Sequence, residues 1–194
     1  MKKLIIGISG ASGVVYGIRL LTVLQAVADV ETHLIITRAG AITIGLETDY
    51  TAEQVMALAD VVYREQDIAA RISSGSFKTD GMIVIPCSMK TLAGIVHSFS
   101  ENLLLRAADV VLKDRRRLIL VPRETPLHLG HLRLLVQATE MGAIVAPPMP
   151  AFYHKPQTID DIINQTVNRV LDLAEIELPQ DLFPRWAGGQ AQRG

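Results

Sequence analysis

The chain has 194 residues, with 20 acidic and 19 basic side chains for a formal net charge of −1, a balance that excludes general affinity for nucleic acid. Cys87 is the single cysteine, so an intrachain disulfide and a cysteine-rich metal site are excluded. Apolar residues make up 49% and the mean hydropathy is +0.28, more than one small domain can cover, which predicts a homo-oligomer with large interfaces.

Met1-Lys2-Lys3 ahead of an apolar run imitates a signal peptide. Gly7 and Ser9 interrupt that run and Arg19 follows it, so it is read as the first strand–helix unit. Leu4–Ile8 is the strand, Ser9-Gly10-Ala11-Ser12-Gly13 the turn, and Val14, Ile18, Leu21 and Leu24 mark the helix. Backbone N–H groups at such a turn favour a phosphate, and glycine permits its close approach. The glycines at 7, 10 and 13 do not form the dinucleotide fingerprint, and Thr37-Arg38 ends the next strand without an acid for a ribose hydroxyl. A mononucleotide phosphate fits better than NAD; the alternative is a tight turn that binds nothing.

Glu31–Thr37 reads as a second strand, Ala39–Leu46 as a helix, and Thr51–Ala59 as a short helix capped by Thr51. Val61–Tyr63 fits an edge strand and Ile68–Lys78 a loop. Met82–Pro86 is a buried strand leading through Cys87-Ser88-Met89-Lys90-Thr91 into a helix that reaches His97. Asn102–Arg115 is helical, Leu118–Val121 a strand, Leu127–Met141 a helix stopped by Gly142, and Ala143–Ala146 the last strand. Ile159–Leu173, capped by Thr158, is the final helix, and the tail from about residue 187 is expected to be disordered. Alternating strands and helices with apolar strands predict one α/β domain over 1–194, of three-layer Rossmann-like form with a mainly parallel sheet. No window of about 20 residues is apolar and uncharged, so no membrane span is predicted and a cytoplasmic protein is expected.

In such sheets ligands sit beyond the carboxyl ends of the strands, and the unusual residues of this chain all follow strands. Ser88-Met89-Lys90-Thr91 suits a polar edge of a nucleotide or flavin, or is an ordinary helix cap. Cys87 reads as a small buried apolar residue rather than a nucleophile. Arg123 can grip a phosphate and Glu124 act as acid or base, or the two form a surface ion pair. Glu47 is a buried catalytic carboxylate or, as the sequence favours, a helix end. His128 and His131 share a helix face but lack a third metal ligand. Phe152-Tyr153 offers a π-face to a ligand or plugs a subunit interface.

ISGASGVVYGIRLL, the ETD at 47–49, SGSF at 74–77, DGMIVIPCSMKTLAGI, NLLLRAADVVLKDRR, LVPRETPL, GAIVAPPMPAFYHKPQTIDDI and LFPRW together resemble the UbiX-type flavin prenyltransferases over nearly the whole chain. The resemblance implies a flavoprotein fold and metal-free transfer of a dimethylallyl group from dimethylallyl phosphate to reduced FMN. The prenylated FMN would serve a UbiD-like decarboxylase. It implies that Gly10, Ala11, Ser12, Thr37, Ser88, Met89, Lys90, Thr91 and Arg123 hold the flavin nucleotide. Arg106, Lys113, Glu124, Tyr153 and Arg169 would hold the prenyl phosphate, with Ser12, Glu47 and Glu124 handling protons. Lys113 counts among the catalytic residues, and homo-oligomers, often dodecamers, are implied. Ile68 stands where many relatives carry an aromatic residue. The competing readings are an FMN-dependent decarboxylase of the wider flavoprotein group and a flavin carrier without catalysis.

Overall fold

The computed structural model describes residues 1–186 and Gly188, and the predicted tail from about 187 lies almost wholly outside them. Six strands pair in parallel in the order β3-β2-β1-β4-β5-β6. They are β1 (Lys2–Ile8), β2 (Val30–Ile36), β3 (Val61–Tyr63), β4 (Gly81–Cys87), β5 (Arg117–Pro122) and β6 (Ile144–Val145). The helices are α1 (Val14–Leu24), α2 (Arg38–Glu47), α3 (Ala52–Met56), α4 (Met89–Val96), α5 (Leu103–Lys113), α6 (Leu129–Glu140) and α7 (Ile159–Leu173). The expected sheet is therefore parallel throughout, and Val61–Tyr63 is an edge strand as expected.

The pleat sorts the strand residues into two cores. Leu4, Ile6, Ile8, Leu34, Ile83 and Ile85 face α1 and α7, whose Leu21, Val167 and Leu171 are buried against them. Ile5, Ile35, Met82, Val84 and Leu120 face the other way, onto Leu92 and Ile95 of α4 and Leu104 and Ala108 of α5. With both faces covered, near-continuous apolar strands are the necessary sequence pattern.

Several boundaries differ from those read in the sequence. The α6 helix begins at Leu129 because His128 caps it, its Nδ1 accepting the Gly130 amide at 3.0 Å and the His131 amide at 3.4 Å. The pair of histidines is thus a cap and its neighbour, rings 3.6 Å apart. A single 3-10 turn, Arg71–Ser73, lies inside the expected loop. The strand expected over Ala143–Ala146 pairs only at Ile144–Val145.

From β1 the chain moves to β2 on one side, and from β4 to β5 on the other. The connections that leave the carboxyl ends of β1 and β4 therefore run in opposite directions, which opens a crevice at the switch point. Ser9 joins the two strand ends below it: its buried hydroxyl donates to the Pro86 carbonyl at 2.9 Å and accepts the Ser88 amide at 2.8 Å.

Candidate active site

Above that junction lies an open cleft of about 1020 Å³. One wall is the N-terminus of α2, another the start of α4, and a third the segment after β3 together with the start of α5. Of the sequence-predicted residues, Gly10, Thr37, Ser88, Lys90 and Thr91 line this single space. The α4 start is shaped for an anion. Ser88 caps it by accepting the Thr91 amide at 3.2 Å, while the amides of the first turn have no intrahelical acceptor. Ile42, Ile68, Phe99 and Leu105 make the cleft's apolar side, and Ile42, Ile68 and Phe99 are exposed. A phosphate-bearing planar heterocycle matches that division into donors and apolar wall. The Ile68 noted in the sequence thus does belong to the wall.

The Ser9–Gly13 turn departs from its expected role. Its amides are less free than a phosphate cradle requires: Ser9 donates to the Pro86 carbonyl at 3.2 Å and Ala11 to the Ser9 carbonyl at 2.9 Å. The amides of Gly13 and Val14 go to Glu47 Oε2, at 2.8 and 3.3 Å. Glu47 is the last residue of α2, and α2 runs back to bring it over the N-terminus of α1. It is thus a helix end, as the sequence favoured, whose carboxylate sits on a second helix. Partial burial pushes its carboxyl up, but the Ser12 hydroxyl, the Gly13 and Val14 amides and the Arg123 charge together hold it below its ordinary value. Gly13 has φ +99°, a left-handed conformation that suits glycine at the entry to α1. Gly10 is needed for a different reason: a Cβ there would lie 2.4 Å from the Ala39 Cβ of α2.

Arg123 and Glu124 follow β5 and are exposed; the Arg123 amide donates to the Cys87 carbonyl at 3.2 Å, and Glu124 accepts the Thr125 amide at 3.0 Å. Met89 opens α4, half-buried. Cys87 is wholly buried, and burial pushes its thiol up to about 12, so it is the inert apolar residue expected.

Arg106, Lys113, Tyr153 and Arg169 lie outside the cleft lining. Arg106 pairs with Asp109 at 2.8 Å and reaches the Ser73 carbonyl at 3.1 Å. Lys113 pairs with Asp114 at 3.0 Å, and Arg169 with Asp172 at 2.8 Å. Tyr153 packs edge-on to Trp186, ring centres 5.9 Å apart.

Sequence reasoning missed Glu65, Phe99, Asn102 and Leu105 in the lining. Glu65 Oε2 accepts the Arg38 amide at 2.7 Å and its Oε1 accepts Asn102 Nδ2 at 2.9 Å. The rule that singled out the other strand tips covers it, since it lies two residues beyond Tyr63, the end of β3. The short β3 and the polar run around Glu65 hid that signal.

A family model described as Flavoprotein matches residues 1–171. The chain is 64% identical to flavin prenyltransferase UbiX of Escherichia coli K12 over 188 residues, covering 97% of this chain and 100% of the relative. Among solved structures it is similar to the dodecameric FMN-dependent UbiX-like decarboxylase of Escherichia coli O157:H7. The TM-score is 0.93, with 53% identity over 96% of this chain and 100% of that one. It is also similar to AnUbiX in complex with FMN and dimethylallyl pyrophosphate, with TM-score 0.92 and 48% identity over 97% of this chain and 99% of the other.

Proposed function

Because the chain belongs to the Flavoprotein family and, within it, to the UbiX-type flavin prenyltransferases, we propose that it transfers a dimethylallyl group from dimethylallyl phosphate to reduced FMN. The observation that carries this reading is one continuous cleft, running from the donors at the α4 start to the apolar side of Ile42, Ile68, Phe99 and Leu105.

Ser88, Lys90, Thr91 and Thr37 would hold the nucleotide's phosphate end, with Met89 beside them and Arg123 at the tip of β5. Gly10, Ala11 and Ser12 would border the ring end; of the three, Gly10 lines the cleft and lets the loop pack tightly on α2. When bound, reduced FMN supplies the electron-rich ring positions that accept the alkyl group. The Ser12 hydroxyl helps keep the Glu47 carboxylate ionised, so Glu47 would receive a proton passed on by that hydroxyl. Lys113, Arg106 and Arg169 would gather around the departing phosphate and stabilise the charge it gains, with Glu124 as their counter-charge and proton acceptor. The face of Tyr153 suits the positive character that grows on the allylic carbon.

Since those basic residues lie outside the cleft lining, neighbouring copies would bring them to the flavin. Leu129, Leu132 and Val136 along α6, with Met149, Phe152, Ile159 and Trp186, leave large apolar side chains exposed that copies can cover. A homo-oligomer, dodecameric like the Escherichia coli O157:H7 relative, fits this surface. The whole chain 1–194 would act as one domain, and the prenylated flavin would pass to a UbiD-like decarboxylase. No helix among the described residues is long and apolar enough to cross a membrane.

The test is mass spectrometry of the flavin after anaerobic incubation of protein, reduced FMN and dimethylallyl phosphate, with the pyrophosphate as a parallel donor. A product heavier by one dimethylallyl group is expected. Unchanged FMN with both donors would overturn the reading.

A further inference from the structure

We propose that Glu65 is a positioning residue that sets the width of the cleft by tying the N-terminus of α2 to the N-terminus of α5. The inference rests on the reading of the cleft as the FMN site. Arg38, Glu65 and Asn102 all line that space, and the Glu65 carboxylate bridges the other two: Oε2 takes the Arg38 amide at 2.7 Å and Oε1 takes Asn102 Nδ2 at 2.9 Å. Its own carbonyl accepts the Leu103 amide at 2.8 Å, so a backbone bond fixes Glu65 to the start of α5 and the side chain extends that tie to α2.

The partners leave little freedom. Asn102 Oδ1 accepts the Leu105 amide at 3.0 Å as the cap of α5, which turns its NH₂ group toward Glu65. At α2, Thr37 accepts the Gly40 amide at 3.0 Å, and Glu65 supplies the acceptor for the first helical amide, Arg38. Fixing the Arg38 amide also fixes Thr37, the adjacent residue on the nucleotide side. A carboxylate in a cleft meant for a phosphate would ordinarily repel its ligand. Here each oxygen is engaged by an N–H donor, and one of those donors sits at a helix N-terminus, where negative charge is favoured. The acid therefore serves the wall and not the ligand.

A donor–acceptor exchange tests this. Glu65→Gln can still accept the Arg38 amide but sets one NH₂ group against that of Asn102. We expect the Kd for FMN, followed by flavin fluorescence, to rise about tenfold, and KM for FMN with it, while kcat at saturating FMN is retained. Asn102→Asp alone opposes two carboxylates and should weaken FMN similarly. The double variant Glu65→Gln/Asn102→Asp restores a donor facing an acceptor, keeps the Arg38 bond, and keeps the cap on Leu105. Its affinity should return to within about threefold of wild type. Losses that merely add in the double variant would overturn the proposal, as would an unchanged Kd in Glu65→Gln or a loss confined to kcat. If Glu65→Gln does not fold, the double variant decides alone: recovered affinity supports the bridge and weak binding refutes it. Wild-type protein that binds no FMN in the same titration overturns the functional reading, and the inference with it.

Discussion

At the cleft, Gly10, Thr37, Ser88, Lys90 and Thr91 share one space because they follow the carboxyl ends of three neighbouring strands: Gly10 after β1, Thr37 after β2, and Ser88 with the first turn of α4 after β4. The sheet aligns those strand ends within one chain. Arg106, Lys113 and Arg169 are carried on helix surfaces instead, and each pairs with an acid within three residues of itself. Such exposed pairs contribute about 0–1 kcal/mol, so they park a charge without committing it. Residues at strand tips are gathered by the fold, whereas on the proposed reading residues on helix flanks would be gathered by assembly. That contrast separates the flavin half of the proposed site from the phosphate half.

The sharpest way to break the contrast is to strip charge from the second region alone. Lys113→Ala and Arg169→Ala should leave FMN affinity intact and lower prenyl transfer about 10²–10³-fold, measured by product mass and flavin titration on the same samples. Equal product from both variants and wild type would remove their assigned roles. In the first region, Gly10→Ala forces its new methyl onto Ala39, 2.4 Å away. It should cost about 1–3 kcal/mol in thermal unfolding and weaken FMN binding as well.

Ser9→Ala cuts the bridge between the ends of β1 and β4 and leaves the Ser88 amide without its acceptor. A loss of about 1–3 kcal/mol is expected, read as a Tm lower by roughly 2–4 °C for each kcal/mol. The smallest effect concerns pH. Glu47 has a folded value below its ordinary 4.5, so it binds protons less readily folded than unfolded. Its contribution is fully present above 4.5 and fades as pH falls through the lower folded value. Glu47→Gln should flatten that acid limb of the stability curve and leave the neutral region's slope unchanged.

Much of this was legible beforehand. Apolar strands, small polar turns and amphipathic helices placed β1, α1, β4, α4 and α7 within a residue or two, since local rules govern them. The strand-tip rule also drew Thr37 and Ser88–Thr91 to one site. The carboxylate placements could not be read: Glu47 reaches α1 from 34 positions away, and Glu65 spans 37 positions to Asn102. Nothing in the residues beside them announces such partners. The start of α6 was missed for a local reason, because a histidine caps it where serine, threonine or aspartate is the usual signal.

Cys87 has a practical consequence for anyone following subunit exchange. The chain's lone thiol is sealed between strand and helix and pushed up to about 12, so alkylating dyes should pass it by while the fold is intact. A cysteine introduced on an exposed face could then carry a fluorophore by itself, with the native residue left in place.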